Sequence, residues 1–163
     1  MIRAVIVLVA ALLGLTRNAQ ADDFPARKPG LWEVTMNLGQ SRPRVIRYCI
    51  DAATDAQLRD MGQNMVDGRC SRREFHRIGN ILTSDSVCKI GTSEVTSHSV
   101  TTFADDTSYA TVVTSHYDPP SSLGHSDTKT TQDAKWIGPC EPDLQPGDMI
   151  VQGRKMHIPT APR

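Results

Sequence analysis

The alternation of apolar and polar positions is clearest in the segment LWEVTMNL, which begins at Leu31. Trp32, Val34 and Met36 occupy every second position, so they point to the same side of an extended chain. Polar residues occupy the positions between them, which is typical of a half-buried antiparallel strand. The segment RVIRYCI, residues 44–50, is rich in β-branched and aromatic residues and is predicted to be the partner strand.

The hydrophobic spacing changes after this second strand. Leu58, Met61 and Met65 recur at intervals of three and four residues, which predicts one short helix within residues 51–68. Alternating segments then return over residues 70–138, separated by short turn-forming stretches. We expect about seven strands in all, joined as an antiparallel meander that curls into a small barrel or half-barrel. The predicted fold class is therefore all-β with one short helix.

Serine and threonine dominate residues 92–131, where 10 threonines and 8 serines occupy 40 positions. Two strands with one solvated face account for this composition, because half-exposed antiparallel sheets are common. The alternative is a polar groove lined by hydroxyl groups. The sequence favours the solvated face.

Residues 1–21 have the features of a signal peptide. A short start with Arg3 precedes the apolar run AVIVLVAALLGL, residues 4–15, and the AQA triplet that ends at Ala21 fits the cleavage rule. The apolar run is shorter than the roughly 20 residues that span a bilayer. Cleavage near Ala21 leaves residues 22–163 as a single, exported, periplasmic domain without a membrane span.

The charge of this mature part argues against one class of partner. Two of the 18 Lys and Arg residues precede residue 22, so 16 basic residues remain against 18 acidic ones, a net charge of −2. A protein that follows a phosphate backbone needs a basic surface. Nucleic acid is therefore not an expected partner.

All four cysteines, Cys49, Cys70, Cys88 and Cys140, lie in the mature part. An even number in an exported chain predicts two disulfides, although three connectivities are open to four cysteines. The segments CSRREFHRI and ILTSDSVCK predict a hairpin, and a three-residue loop at 78–80 places Cys70 opposite Cys88. A register slip of one residue would instead make these two cysteines diagonal neighbours. We expect the pairs Cys70–Cys88 and, by exclusion, Cys49–Cys140.

The sequence contains no motif of known catalytic or ligand-binding chemistry. Its five histidines follow no metal-ligand spacing, and it has no P-loop, no GxGxxG and no GxSxG. Disulfide formation would also remove the cysteine thiolates as nucleophiles. We therefore expect a protein that is not an enzyme and that requires no cofactor and no metal.

Trp32 and Trp136 are expected at inward positions. Core packing is the first interpretation for both, because a buried aromatic ring contributes most through its area. The alternative places one of them, together with Val34 and Met36, against an apolar ligand in the mouth of a barrel.

Several motifs occur along the chain in a set order, namely RKPGLWEVT at residues 27–35, YCIDAATDAQL at 48–58, GNILTSDSVCK at 79–89, and WIGPC with PGDM at 136–149. In this order they resemble the exported bacterial family catalogued as domain of unknown function 3617. The resemblance covers residues 26–150. It implies a periplasmic protein of Gram-negative bacteria without an established activity, and it supplies no functional residues.

The triplet Gly30-Leu31-Trp32 is similar to the GxW start of lipocalin-type barrels. That resemblance implies that the tryptophan packs at the closed end of a barrel under a basic residue of the last strand. Arg154 and Lys155 are the candidates for this basic residue.

Two hypotheses for the function follow. The first is a small periplasmic β-barrel that binds an apolar or amphipathic ligand. The second is a non-enzymatic structural or interaction protein of the cell envelope, with an envelope protein as its partner. The GxW start and a meander that could close favour the first, which we prefer as the class of protein. The low aromatic content, 5%, favours the second, because few rings remain to line a cavity once the core is packed.

Overall fold

The computed structural model describes residues 24–39, 42–64 and 68–158, with the side chains of all of these except residues 60–64. The predicted signal peptide, residues 1–21, lies outside the described residues, and so does its cleavage site. The side chains of the two methionines in the predicted helical stripe also lie outside them. The remaining expectations about the fold fall on described residues.

Nine strands and one helix form the described part of the chain. The helix, α1, covers Ala52–Asn64, where the sequence predicts it. The strands are, in chain order, β1 Gly30–Leu38, β2 Arg44–Ile50, β3 Cys70–Ile78, β4 Ile81–Ile90, β5 Ser93–Phe103, β6 Ser108–Asp118, β7 Asp127–Gly138, β8 Asp148–Val151 and β9 Arg154–His157. The sequence did not predict β8 and β9. In β9 all four residues are exposed, so apolar and polar positions do not alternate there. No helix among the described residues has the length and apolar character needed to cross a bilayer.

All nine strands form one antiparallel sheet in the order β3-β4-β5-β6-β7-β1-β2-β8-β9. The strands β3 to β7 follow one another as a meander, which confirms the predicted topology. β1 pairs with β7 on one side and with β2 on the other, and thereby joins the meander to the rest of the sheet. The sheet is open, with β3 and β9 as its two edges, so the prediction of a closed barrel is wrong.

The sheet buries its apolar side chains without closing, because α1 and the residues before β1 cover one face, and Leu144 packs on Leu31 and Cys49 on the other. We call the first of these the inner face and define it as the side that carries Trp32. Trp32, Val34, Ile50 and Ala134 form its core, and each is at most 2% exposed. Leu58 of α1 packs against this core. A helix thus lies where a barrel would place its opposite strands.

α1 begins directly after β2 and is capped by Asp51. The carboxylate oxygen Oδ1 of Asp51 accepts hydrogen bonds from the backbone N–H and the hydroxyl of Thr54, both at 2.7 Å. These bonds lower the pKa of Asp51, and they satisfy one of the free donors at the start of the helix. The cap fixes where α1 starts, and therefore which side chains of its first turns face the sheet.

Both predicted disulfides are present, Cys49–Cys140 and Cys70–Cys88. The predicted hairpin loop is wrong by one residue, because Ile78 pairs with Ile81 across a two-residue turn. If this register continued unchanged along the hairpin, Cys70 would not lie opposite Cys88. A bulge in β3, just after Cys70, shifts the pairing by one residue and restores the alignment of the two cysteines.

A buried carboxylate organises the open end of the hairpin formed by β8 and β9, where Asp148 is paired with His157. Asp148 accepts hydrogen bonds at 2.9 Å from the backbone N–H of Gln145 and from the ring of His157, and it pairs with Lys155 Nζ at 2.9 Å. The Gln145 N–H, Lys155 and His157 together hold the pKa of Asp148 well below its usual range. Asp148 therefore stays ionised and keeps all three partners in place.

Candidate functional site

The residues just before β1, Phe24 to Pro29, cross the inner face, and we call them the lead segment. The two tryptophans hold its backbone. Trp32 Nε1 donates a hydrogen bond to the carbonyl oxygen of Lys28 at 2.8 Å, and Trp136 Nε1 donates one to that of Pro29 at 3.0 Å. The indole N–H groups thus find the polar partners that buried tryptophans require.

Gly30 marks the place where the lead segment turns into β1. Its φ of +134° is a backbone conformation that L side chains rarely adopt. A Cβ at this position would also overlap the carbonyl oxygen of Gly138 and Nε1 of Trp136. Glycine is therefore required here both by conformation and by space, which accounts for the GxW triplet.

A buried ion pair attaches the lead segment to α1. Arg27 Nε lies 2.6 Å from Asp55 Oδ1, and the backbone N–H of Arg27 donates to Asp55 Oδ2 at 3.1 Å. Asp55 is only 1% exposed, and it also pairs with Arg59, one helical turn later, at 3.5 Å. No motif in the sequence predicted this pair. The available signal was that Asp55 precedes Leu58 by three residues, so it lies on the apolar side of the helix.

Arg27 also occupies the position above the core tryptophan. Its guanidinium carbon lies 5.8 Å from the centroid of the Trp32 ring and 5.4 Å from that of Tyr48, within the range of cation–π contacts. Arg27 Nη1 donates to the hydroxyl of Tyr48 at 2.8 Å. Burial, followed by the neighbouring Tyr109, raises the pKa of Tyr48 well above its usual range, so this hydroxyl stays neutral.

The expectation that Arg154 or Lys155 lies above Trp32 is wrong. That expectation required the last strand to close a barrel beside the first. Because the sheet is open, β9 is separated from β1 by β2 and β8. Lys155 instead pairs with Asp148 and donates to the backbone carbonyl of Asp143, and Arg154 is exposed.

A pocket of about 290 Å³ opens on the inner face between the lead segment, α1 and the strands β5, β6 and β7. Most of its lining side chains are half-buried, so the pocket reaches solvent. One wall is apolar and aromatic, the floor carries hydroxyl and amide groups, and two arginines line the side of α1 and the lead segment. The lining residues are Phe24, Pro25, Arg27, Leu58, Arg59, Ser99, Thr101, Phe103, Tyr109, Thr111 and Gln132.

The aromatic wall of the pocket forms where the lead segment meets the meander. The ring of Phe24 makes edge-on contacts with Phe75 and Phe103, at centroid distances of 6.3 and 6.4 Å. Phe103 in turn lies 5.9 Å from Tyr109. The N-terminal lead segment therefore supplies one side of the pocket, and β5 and β6 supply the other.

The floor of the pocket consists of paired hydroxyl groups. Thr101 on β5 and Thr111 on β6 lie opposite each other, with 2.9 Å between their hydroxyl oxygens. Ser99 on β5 is paired in the same way with Ser84 on β4, at 2.7 Å. Gln132 Nε2 donates to the hydroxyl of Tyr109 at 3.1 Å. The serine- and threonine-rich segment has an exposed outer face, as the sequence favoured, but its inner positions also line the pocket.

The four predicted ligand-lining or core residues lie outside the wall of this pocket. Trp32 and Val34 belong to the buried core, and Met36 packs against it. The ring of Tyr109, which lines the pocket, lies 6.0 Å from that of Trp32. Trp136 also packs on the core and lies under Lys28, whose Nζ is 3.8 Å from the ring centroid. Trp32 thus supports the pocket from behind through Tyr109.

Two histidines lie together on the exposed outer face. His98 Nδ1 is 2.8 Å from Asp85 Oδ1, and His116 Nδ1 is 2.9 Å from Asp127 Oδ1. The two histidines are not directly opposite, because His98 pairs with Thr114 in the register of β5 and β6. Within residues 24–39, 42–59 and 68–158, no group of three or more His, Cys, Asp and Glu side chains is arranged to hold a metal ion.

The fold and the site together define an antiparallel β-sheet protein with two disulfides and a pocket covered by its own N-terminal segment. The family model described as "Protein of unknown function (DUF3617)" matches residues 27–140, which is more than half of the chain, and the protein belongs to this family. The match begins at Arg27, which forms the buried ion pair, and ends at Cys140, which forms a disulfide. No curated protein and no solved structure matches the chain.

Proposed function

We propose that the protein is an exported, periplasmic binding protein, not an enzyme, and that it takes a small apolar or amphipathic ligand into the inner pocket. The observation that carries this proposal is the pocket of about 290 Å³ under the lead segment. Ligand pockets usually measure roughly 300–1,000 Å³, so this one suits a small ligand, such as one with two or three aromatic rings or a short chain.

The lining of the pocket favours an amphipathic ligand over a purely apolar one. Phe24, Phe103 and Leu58 offer an apolar surface. The hydroxyl pair of Thr101 and Thr111 uses one of its two hydrogens between the two oxygens. The second hydrogen is therefore available to a polar group of the ligand.

Export to the periplasm is supported by two independent features. Residues 1–21 have the sequence of a signal peptide. All four cysteines form disulfides, which persist in oxidising compartments and are rare in the cytosol.

The proposal is tested by titrating protein purified from the periplasm, with its disulfides intact, with the neutral fluorescent probe N-phenyl-1-naphthylamine. Two variants on β6 are matched, because Thr111→Phe fills the pocket whereas Thr114→Phe places the same ring on the exposed outer face. We expect saturable binding to the wild type and to Thr114→Phe, and at least about tenfold weaker binding to Thr111→Phe, because the ring takes the ligand's volume. Circular dichroism verifies the fold. Absence of saturable binding, or equal binding by both variants, contradicts the proposal.

The alternative function, an interaction protein of the envelope, is favoured by one specific feature. β3 is an edge strand, and the tip of the β3–β4 hairpin exposes Ile78 and Ile81, at 83% and 42%. A photo-crosslinking amino acid in place of Ile78 tests this surface in the periplasm. Leu123, in the loop after β6 and 81% exposed, is the control position. A discrete crosslinked partner from position 78 alone supports this alternative, and identical products from both positions count against it.

A further inference from the structure

The charged groups around the inner pocket are unequal in number. Arg27 and Arg59 both line the pocket, and no carboxylate does so among the described residues. Both arginines pair with the same carboxylate, that of Asp55, which lies behind them. Two positive groups against one negative group leave a net charge of +1 beside a pocket that is partly screened from water.

From this imbalance we infer that the ligand is an anionic amphiphile, with a carboxylate, sulfonate or phosphate group bound by Arg59. The inference rests on the proposed function, since it names the chemistry of the ligand in the same pocket. It also assigns different roles to the two arginines.

Arg27 is held by the protein itself. Its Nε bonds to Asp55 at 2.6 Å, its Nη1 bonds to the hydroxyl of Tyr48 at 2.8 Å, and its side chain is 14% exposed. Its guanidinium also lies over two aromatic rings, those of Trp32 and Tyr48. These contacts orient Arg27 toward the core, so its role is to attach the lead segment.

Arg59 is held less completely. Its Nη1 donates to the carbonyl oxygen of Phe24 at 2.8 Å, and its Nη2 lies 3.5 Å from Asp55 Oδ2. A guanidinium has five N–H donors, and each of the two arginines has acceptors for two of them among the described residues, so the difference lies in the contact with Asp55, which is 3.5 Å for Arg59 against 2.6 Å for Arg27. The side chain is also the more exposed of the two, at 23%. An anionic group with two or more oxygens, such as a carboxylate, sulfonate or phosphate, satisfies several such donors at once.

The apolar part of such a ligand has a surface beside Arg59. Arg59 bonds to the backbone of Phe24, whose ring is part of the aromatic wall, and Leu58 precedes it in α1. A head group at Arg59 therefore directs an attached ring or short chain along Phe24 and Phe103. The hydroxyl groups of Thr101 and Thr111 on the floor remain available to a further oxygen of the ligand.

Two probes with one skeleton test the inference. 8-Anilinonaphthalene-1-sulfonate carries a sulfonate on the ring system of N-phenyl-1-naphthylamine, so their difference reports the anionic group. We expect the sulfonate probe to bind the wild type at least about tenfold more tightly, as a charge-assisted contact requires. The variant Arg59→Gln should bring the ratio of the two affinities close to one, because a change in the wall near Phe24 affects both probes whereas the loss of the guanidinium affects the sulfonate probe alone. It leaves Arg27 paired with Asp55, so the melting temperature should remain close to that of the wild type.

Arg47→Gln is the matched control, because Arg47 lies on the outer face in an exposed pair with Glu33. It should alter the binding of neither probe. A measurement on the wild type is independent of any variant's folding, since raising NaCl from about 0.05 to 0.5 M should weaken the sulfonate probe and not the neutral one.

The outcomes separate the inference from the proposed function. If the neutral probe binds and the sulfonate probe binds no better, or if Arg59→Gln weakens both probes equally, the inference is overturned and the proposed function stands. If neither probe binds saturably, the proposed function fails and the inference fails with it.

Discussion

Replacing Asp55 by asparagine removes the charge that joins the lead segment to α1 while keeping the shape of the side chain. Asp55 accepts two hydrogen bonds from Arg27, at 2.6 and 3.1 Å, and pairs with Arg59 at 3.5 Å. The carboxylate is 1% exposed, so water does not replace these partners in the folded state. The variant Asp55→Asn leaves two guanidinium groups without a counter-charge.

The expected loss of stability follows from this geometry. Removing one partner of a buried ion pair costs about 3–5 kcal/mol in the free energy of unfolding. Arg27 and Arg59 are 14% and 23% exposed, so water hydrates them in part, and we expect the lower end of this range. For a domain of this size, about 3 kcal/mol corresponds to a decrease of roughly 10 °C in the melting temperature.

The chain offers a matched control on the opposite face of the sheet. Glu33 and Arg47 form an ion pair with a similar distance, 2.9 Å, but their side chains are 33% and 46% exposed. Exposed pairs contribute about 0–1 kcal/mol, so Glu33→Gln should have little effect. Equilibrium unfolding in urea measures both variants, with intact disulfides and with the emission of the two tryptophans as the signal.

A double-mutant cycle separates the ion pair from other roles of Asp55, such as its position in the first turn of α1. The cycle combines Asp55→Asn with Arg27→Gln, and we expect a coupling energy of about 2 kcal/mol between them. If the free energies of unfolding of Asp55→Asn and Glu33→Gln differ by less than about 0.5 kcal/mol, the buried ion pair does not stabilise the fold as expected. A coupling energy near zero leads to the same conclusion.

Three further predictions concern the stability of the fold. Gly30→Ala should lower the free energy of unfolding by about 3 kcal/mol and Gly39→Ala by about 1 kcal/mol, because both positions have a positive φ but only the Cβ at residue 30 has no space. Thermal unfolding measures both variants, and equal melting temperatures would contradict this. Replacing Cys49 and Cys140 by serines should lower the free energy of unfolding by about 4.6 kcal/mol, and replacing Cys70 and Cys88 by about 3 kcal/mol, because the cysteines of the two pairs are 91 and 18 residues apart. Unfolding in urea measures the difference, and the reverse order would argue against loop entropy as the cause. The lowered pKa of Asp148 adds stability that is present when the pH is above the unfolded-state pKa, about 3.9, and is lost as the pH falls through the folded-state pKa. Asp148→Asn should therefore be less stable than the wild type at pH 7, and this difference in stability should shrink below about pH 4. An acid titration followed by circular dichroism measures the difference, and a difference that stays constant with pH would rule out this linkage.

Local patterns in the sequence were sufficient for most of the strands, for the helix and for the disulfides. Alternation at Trp32 and Val34 identified β1 and its buried side, because side chains point to opposite faces of a strand in turn. The pairing of Cys70 with Cys88 was correct although the loop length was not. The bulge that restores their alignment is a local irregularity without a sequence signal as strong as that of the turn.

The open sheet, the covering segment and the pocket were decided by contacts between residues distant in the chain. Arg27 and Asp55 are 28 residues apart. Taken locally, Arg27 belongs to a polar segment before the first strand, and Asp55 is an acidic residue in the first turn of a helix. The inner hydroxyls of Thr101 and Thr111 are not distinguishable by composition from those on the solvated face. What gives them a role is that Phe24 and α1 cover only one side of the sheet, and the serines and threonines of β5 and β6 do not by themselves specify which side that is.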